Sequence, residues 1–311
     1  MSAAAAAVDA PSPAQTQTLG FVGLGHMGGP MSTRLVAAGH VLVGFDVAGT
    51  RDRLPPGAEP ADSVADLASV AEVALLSLPD GRASAAVCQQ IVDAPARRTR
   101  LVIDLSTIGM PAARECARIL AGAGLEYVDA PVSGGVAGAQ AGTLAIMVGA
   151  PAALFERVKP ILAALGKNLF RLGDQPGQGQ AMKLLNNYIA GTTLAATSEA
   201  VVFGARVGLD LAQVVDVLNV SSGRTSASEG LLPRCVLPRT YDFGFAAALM
   251  AKDVRLYLES ATDADVPHAL ASASSALWAA FNGATSPGTD FTAIHRYLES
   301  APTSPETQAP G

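Results

Sequence analysis

Aromatic residues are scarce in this 311-residue chain, at 5%, although half of it is hydrophobic. Its core must therefore be built from Ala, Val, Leu and Ile, and the abundance of Ala and Gly points to closely packed helices and tight backbone approaches. Charge is scarce too: 15% of residues are charged and the net charge is −6. That balance argues against nucleic acid as a partner, because phosphate contact needs clustered Lys and Arg. The three cysteines, Cys88, Cys116 and Cys235, are far apart and form no C-x-x-C pair. They read as reduced thiols in a reducing compartment. The four histidines are scattered with no H-x-x-x-H spacing, so no metal site is expected. No apolar run approaches the roughly 20 residues that span a bilayer, so no membrane partner is expected. The Ala run at residues 3–7 is not preceded by a basic segment, so no signal peptide is expected and the cytoplasm is the expected location.

What is present is alternation. Short apolar runs at 19–23, 41–45, 73–78, 101–104, 127–128, 144–148 and 168–172 read as strands. Between them lie helical stretches at 27–38, 63–69, 82–91, 111–121 and 152–165. Ser63 is the expected N-cap of the second helix, with Asp66 in the third position of a weak capping box. Strands that are apolar throughout, alternating with helices, predict a parallel sheet covered on both faces. The texture changes near residue 180. Residues 180–207 read as one long apolar helix, in which Gly191 and Gly204 each cost roughly 1 kcal/mol unless close packing requires them. Further helices are expected at 210–218, 245–264, 266–281 and 291–299, with no strand. The expected organisation is a disordered lead at 1–17, a dinucleotide-binding domain at 18–180, an all-helical domain at 181–300 and a disordered tail at 301–311. The fold class is an α/β Rossmann-type doubly wound sheet followed by an all-α C-terminal domain.

The first motif that carries chemistry is Gly23-Leu24-Gly25-His26-Met27-Gly28, between a strand and a helix. In that context it fits a pyrophosphate: the first glycine turns the chain, the second lets phosphate approach the backbone, and the third packs helix on strand. The helix N-terminus then offers free N–H groups and the positive end of its dipole. Its bland alternative is an ordinary tight turn. Asp46 ends the second strand about 20 residues on, where a carboxylate would bind ribose hydroxyls and repel a 2′-phosphate. That favours NAD over NADP, although Arg51 and Arg53 nearby could serve NADP, and Asp46 could also be a plain strand-end residue. Pro131-Val132-Ser133-Gly134-Gly135 offers backbone N–H groups and a hydroxyl on a glycine-opened loop, a concavity suited to a carboxylate, or else a structural turn. Lys183 stands near the start of the long helix. It is either a snorkelling surface lysine or a proton-transfer group, and Asn187 one turn later shares its face, with Asn186 as the alternative second member.

These blocks resemble the β-hydroxyacid dehydrogenase family, typified by 3-hydroxyisobutyrate dehydrogenase. The resemblance rests on residues 20–31, on Asp129-Ala130-Pro131-Val132-Ser133-Gly134-Gly135 with Gly138-Ala139 and Gly142-Thr143-Leu144, on residues 177–187, and on Leu249-Met250-Ala251-Lys252-Asp253. Ser221-Ser222-Gly223-Arg224 and the 245–253 block look closest to the hydroxyisobutyrate branch. The resemblance implies that Lys183 is catalytic and that Asn187 orients the substrate oxygen or the lysine. It implies that Ser133, Gly134 and Gly135 hold a substrate carboxylate, with Asn186 and Asp253 in the substrate cleft. Lys252 would lie near the nicotinamide, and Leu78, Pro79 and Thr107 would line the cofactor beside the glycine turn and Asp46. The family often carries Asn where this chain has Ala83, so the resemblance does not imply the cofactor hydrogen bond which that Asn would make. Phe245 is either an apolar wall of the substrate site or core, Trp278 is core or interface, and His26 is read as bland.

The implied reaction is oxidation of a small β-hydroxy carboxylate by NAD, with neutral Lys183 taking the hydroxyl proton. An ordinary lysine pKa of about 10.4 suits this poorly, and burial in a cleft between the two domains would lower it. Tartronate semialdehyde or glyoxylate reduction is the nearest alternative. Imine reductases share the architecture but usually lack the lysine. A non-catalytic cofactor-binding scaffold is the alternative of another class. The long apolar helix, like the family, implies a homodimer or homotetramer.

Overall fold

The computed structural model describes residues 17–300. The expected lead at 1–16 and the tail at 301–311 lie outside the described residues; Gln17 does not, and its amide donates to the Glu72 carboxylate at 3.3 Å. The chain divides at Gly179/Gln180 into two compact units.

The first unit runs β1 Thr18–Val22, α1 Gly28–Ala37, β2 Val41–Phe45, β3 Glu59–Pro60, α2 Val64–Val70, β4 Val73–Leu76, α3 Gly81–Asp93, β5 Leu101–Asp104, α4 Met110–Ala121, β6 Glu126–Asp129, β7 Val132–Ser133, α5 Gly135–Ala141, β8 Ala145–Gly149, α6 Ala152–Ala163 and β9 Asn168–Gly173. The sheet order is β3-β2-β1-β4-β5-β6-β8-β7, with β9 beside β8. Both faces are buried, and the period of two sorts the strand residues between them. Leu19, Phe21, Val73, Leu75, Leu101 and Ile103 enter one cluster with α1 and α6; Val22, Ala74, Leu76 and Val102 enter another with α2, α3 and α4. Ser63 caps α2, accepting from the Asp66 N–H at 3.0 Å. The box is incomplete, because the Asp66 carboxylate takes the Ser63 hydroxyl instead of the Ser63 backbone N–H.

The expected parallel sheet is found over most of its width and is corrected at β7 and β8. β1 to β6 pair in parallel, as do β8 and β9, but β8 runs antiparallel to both β6 and β7. The physical reason is length: a parallel crossover takes a dozen or more residues with its helix, and only residues 134–144 separate β7 from β8. The Ser133–Gly135 segment is likewise not a free loop. Ser133 is the last residue of β7 and Gly135 the first of α5.

The second unit is helical: α7 Gln178–Arg206, whose first two residues precede the division, α8 Leu211–Asn219, a π-helical segment Ala227–Val236, α9 Ala247–Asp263, α10 Ala269–Gly283, a 3-10 turn Phe291–Ala293 and α11 Ile294–Ser300. Asp210 caps α8 by accepting from the Gln213 N–H at 2.9 Å. Trp278, Phe281, Phe291, Leu194, Met250 and Val254 form its core, so Trp278 is a core residue. The two helical glycines of α7 differ. A Cβ at Gly191 would stand 2.8 Å from Met250 Sδ and 3.2 Å from Trp278 Nε1, whereas one at Gly204 would meet only Val214, at an ordinary 3.5 Å, and Leu209 beyond it. Gly191→Ala is expected to destabilise the chain by about 1–3 kcal/mol through overpacking, and Gly204→Ala to stabilise it by about 0.5–1 kcal/mol. Denaturant midpoints of the two variants check this; equal effects would contradict it.

Candidate active site

The glycine turn is built by steric necessity at two of its three glycines. Gly23 leaves β1 at φ +92°, and its N–H donates to the Phe45 carbonyl at 2.9 Å. A Cβ there would collide with the Ser77 carbonyl, and one at Gly28 with the Gly23 carbonyl. Gly25 is different: apart from its own residue and its chain neighbours, no described atom lies within 4 Å of where its Cβ would be. Nothing in the protein requires glycine there, and the cradle that a side chain would fill is what a pyrophosphate needs. Asp46 braces the turn. Its carboxylate accepts from the Leu24 N–H at 2.7 Å and from the Ala48 N–H at 2.8 Å. His26 is exposed and Met27 packs on the core, so neither side chain shapes the cradle from within.

The loops after β4 and β5 stand beside it, at the carboxyl edge of the parallel strands. The Leu78 N–H donates to Ser106 Oγ at 2.8 Å, and the Ser106 N–H donates to Asp104 Oδ1 at 2.9 Å. Leu78, Pro79 and Thr107 belong to these two loops. Asp80 caps α3 by accepting from the Ala83 N–H at 2.9 Å.

The Ser133 segment turns on two glycines with positive φ, Gly134 at +135° and Gly135 at +63°. Ser133 itself is half-buried and registers opposite Ala145. The first residue of the same motif, Asp129, has a role that sequence reading missed. It is fully buried and accepts from the Gly177 N–H at 2.9 Å, and a Cβ at Gly149 or Gly179 would press on its carboxylate. Asp129 thus anchors the glycine segment that leads into α7. The signal available was an acid at a strand end followed by Ala-Pro, but its partner lies 48 residues away.

In the second unit, α7 and α9 bring four of the predicted residues into one polar group. Asn187 Nδ2 donates to Asp253 Oδ2 at 2.6 Å, and Asn186 Nδ2 donates to Asn187 Oδ1 at 3.0 Å. Lys252 Nζ stands 3.3 Å from Asp253 Oδ1, an ion-pair contact without the alignment of a hydrogen bond. Lys183 faces the same charges and is only 7% exposed. Burial pulls its pKa down, the Asp253 charge holds it up, and the Lys252 charge lowers it; the net value is about 8. A snorkelling lysine would keep its ammonium in water, and this one does not. Phe245 packs edge-on against Phe291 at 5.6 Å and its N–H donates to Asp290, so its contacts are those of the core. Among the described residues no cluster of metal-ligating side chains occurs, and no helix is long and apolar enough to cross a membrane.

In the first unit, a glycine turn between strand and helix with an acid at the end of β2 is the local geometry of a dinucleotide-binding domain, and the second unit carries a buried lysine of lowered pKa; these are features of the class of nicotinamide dinucleotide-dependent oxidoreductases. The comparisons with known proteins agree. Residues 18–173 match the family model of the NAD-binding domain of 6-phosphogluconate dehydrogenase, and residues 177–298 that of the NAD-binding region of NADP-dependent 3-hydroxyisobutyrate dehydrogenase. The 3-hydroxyisobutyrate dehydrogenase of Pseudomonas aeruginosa is 40% identical over 78% of this chain and 85% of its own. The 2-(hydroxymethyl)glutarate dehydrogenase of Eubacterium barkeri is 34% identical over 80% and 84%. The solved structure of the Mycobacterium tuberculosis 3-hydroxyisobutyrate dehydrogenase with L-serine superposes with a TM-score of 0.82 at 32% identity, covering 92% of this chain and all of that one. The chain belongs to the β-hydroxyacid dehydrogenase family, as an NAD(P)-dependent enzyme acting on a CH–OH group.

Proposed function

We propose that the protein oxidises a small carboxylate bearing a hydroxymethyl group next to its α-carbon, such as 3-hydroxyisobutyrate, with Lys183 as the general base. The observation that carries this reading is the buried Lys183, its pKa lowered to about 8 on a face shared with Asn187 and Asp253. The compounds in the relatives' names are of one chemical type: hydroxyisobutyrate, hydroxymethylglutarate and serine each carry a carboxylate and a primary alcohol one carbon removed.

Hydride acceptance from the carbinol carbon is the chemistry that bound NAD supplies. The glycine turn and the N-terminal end of α1 hold the pyrophosphate through backbone N–H groups. Asp46 binds the adenosine ribose with the lone pairs left by its two backbone partners, which favours NAD over NADP. The Ser133 hydroxyl and the Gly134 and Gly135 N–H groups hold the substrate carboxylate. Lys183 Nζ, as the free amine, takes the hydroxyl proton while the alcohol becomes a carbonyl; in reduction the ammonium returns it. Asp253 holds Asn187, which leaves one Nδ2 hydrogen of Asn187 and the Asn186 amide oxygen for the substrate. Lys252 keeps the nicotinamide role implied above, and its contact with Asp253 ties that role to the same group. Exposed Leu185, Ile189 and Phe203 on α7, with Val207 just beyond its end, support the reading of a homo-oligomer.

The pH profile tests the proton role. The free amine is the working form in oxidation, so the rate rises with pH through a midpoint near 8 and is lost below it; the reverse reaction needs the ammonium and falls above it. Asp253→Asn removes the charge that holds the pKa up, so its midpoint moves to lower pH. An oxidation profile flat from pH 6 to 9, estimated to span a unit or more either side of the midpoint, would sink the assignment.

A further inference from the structure

Asp104 ends β5, the strand beside β4, and is fully buried. A buried carboxylate is costly unless its hydrogen bonds are satisfied. Its Oδ1 accepts from the Ser106 N–H at 2.9 Å, and Ser106 Oγ accepts from the Leu78 N–H at 2.8 Å. Burial pushes the Asp104 pKa up, and the Ser106 hydroxyl and N–H are the first groups that pull it back. The Ser84 and Tyr127 hydroxyls also lie near enough to lower it, although neither meets Oδ2 with hydrogen-bond alignment. The chain of contacts then continues. The Ser77 N–H donates to the Val22 carbonyl at 2.9 Å, and the Ser77 carbonyl and Leu78 side chain fill the space where a Cβ of Gly23 would be. The end of β4 is therefore wedged between Ser106 on one side and the glycine turn on the other.

We propose that Asp104 and Ser106 form a positioning relay for the dinucleotide: Asp104 fixes Ser106, Ser106 fixes the Leu78 peptide, and Leu78 steadies the turn at Gly23. Asp104 touches no cofactor, being sealed beneath the loops; it acts through Ser106. The inference rests on the reading that the loops after β4 and β5 receive NAD. A carboxyl at a strand end, one residue before the loop and two before a serine, is otherwise only a way to terminate β5, and a residue with that role alone would leave cofactor affinity untouched.

The test is a titration of the intact protein with NADH, followed by its fluorescence, alongside thermal melts. Ser106→Ala removes the hydroxyl, Asp104→Ala removes the acceptor, and Asp104→Asn keeps an Oδ1 acceptor. Ser106→Ala and Asp104→Ala are each expected to raise the NADH dissociation constant by about tenfold, the loss of one well-made hydrogen bond. The double variant is expected to lose no more than either single one, because both act on one chain of contacts. Asp104→Asn is expected to bind within about twofold of the parent, since the acceptor is kept. If Asp104→Ala does not fold, Ser106→Ala and Asp104→Asn still decide. A purely structural role would lower the melting temperature and leave the affinity of the folded protein unchanged. Ser106→Ala binding NADH as tightly as the parent, or losses that multiply in the double variant, would overturn the relay. A parent protein that does not bind NADH would refute the cofactor reading itself, a distinct outcome.

Discussion

Lys183→Ala lowers the turnover of a β-hydroxy acid by roughly 10²–10⁴-fold, the range that a positioned proton-transfer group contributes, while NADH still binds. The fold is expected to survive, because the substitution removes a buried charge whose desolvation already drags its pKa down to about 8. Lys183→Arg separates the two ways in which a cation can help. Arginine keeps the charge but cannot release its proton at any working pH. If Lys183 acts as a base, the arginine variant is as slow as the alanine one. If it acts only by charge, arginine restores much of the rate. Neither substitution touches the Asn187–Asp253 hydrogen bond at 2.6 Å, so a loss is expected to come from Nζ and not from collapse of the polar group.

Gly25→Val abolishes tight NAD binding while leaving a folded protein. Beyond Gly25 itself and its chain neighbours no described atom lies within 4 Å of a Cβ at this position, so the branched side chain enters open space. That space is where backbone N–H groups would meet pyrophosphate, and displacing two charge-assisted hydrogen bonds weakens binding on the order of 100-fold or more. Gly28→Ala makes the contrast. Its Cβ would strike the Gly23 carbonyl, so it is expected to damage stability first. Thermal melts and NADH titrations of the two variants distinguish them. A Gly25→Val protein that binds NADH normally would remove the glycine turn from the site.

Much of the fold was legible because its signals are local. The apolar strands at 41–45 and 101–104 match β2 and β5, and Ser63 caps α2 as its spacing predicts. The antiparallel pairing of β7 was hidden because two residues carry no period, and its direction is set by the shortness of the 134–144 connection. The π-helical segment Ala227–Val236 was also not anticipated: Gly230 and Pro233 interrupt any local helical signal, and Leu231, Leu232 and Val236 pack into the core. The site divides in the same way. The glycines, Asp46, Ser133 and Lys183 announce themselves by type and spacing. Asp104 and Asp129 do not, because each looks like a strand-end acid until a contact distant in sequence is seen: the Leu78 N–H on Ser106, two residues after Asp104, in one case and the Gly177 N–H on Asp129 in the other. Asn187 and Asp253 could be named from sequence, but the bond between them could not, since 66 residues separate them.

The central claim is that a β-hydroxy carboxylate gives its hydride to NAD here. The most direct measurement is the rise of the reduced-nicotinamide absorbance when 3-hydroxyisobutyrate, L-serine and 2-(hydroxymethyl)glutarate are each added with NAD, and with NADP for comparison. The account predicts reduction of NAD by at least one of them, faster than of NADP, and only residual turnover in Lys183→Ala. No reduction across a broad panel of such acids, by a protein shown to bind NADH, would contradict it and favour a cofactor-binding scaffold.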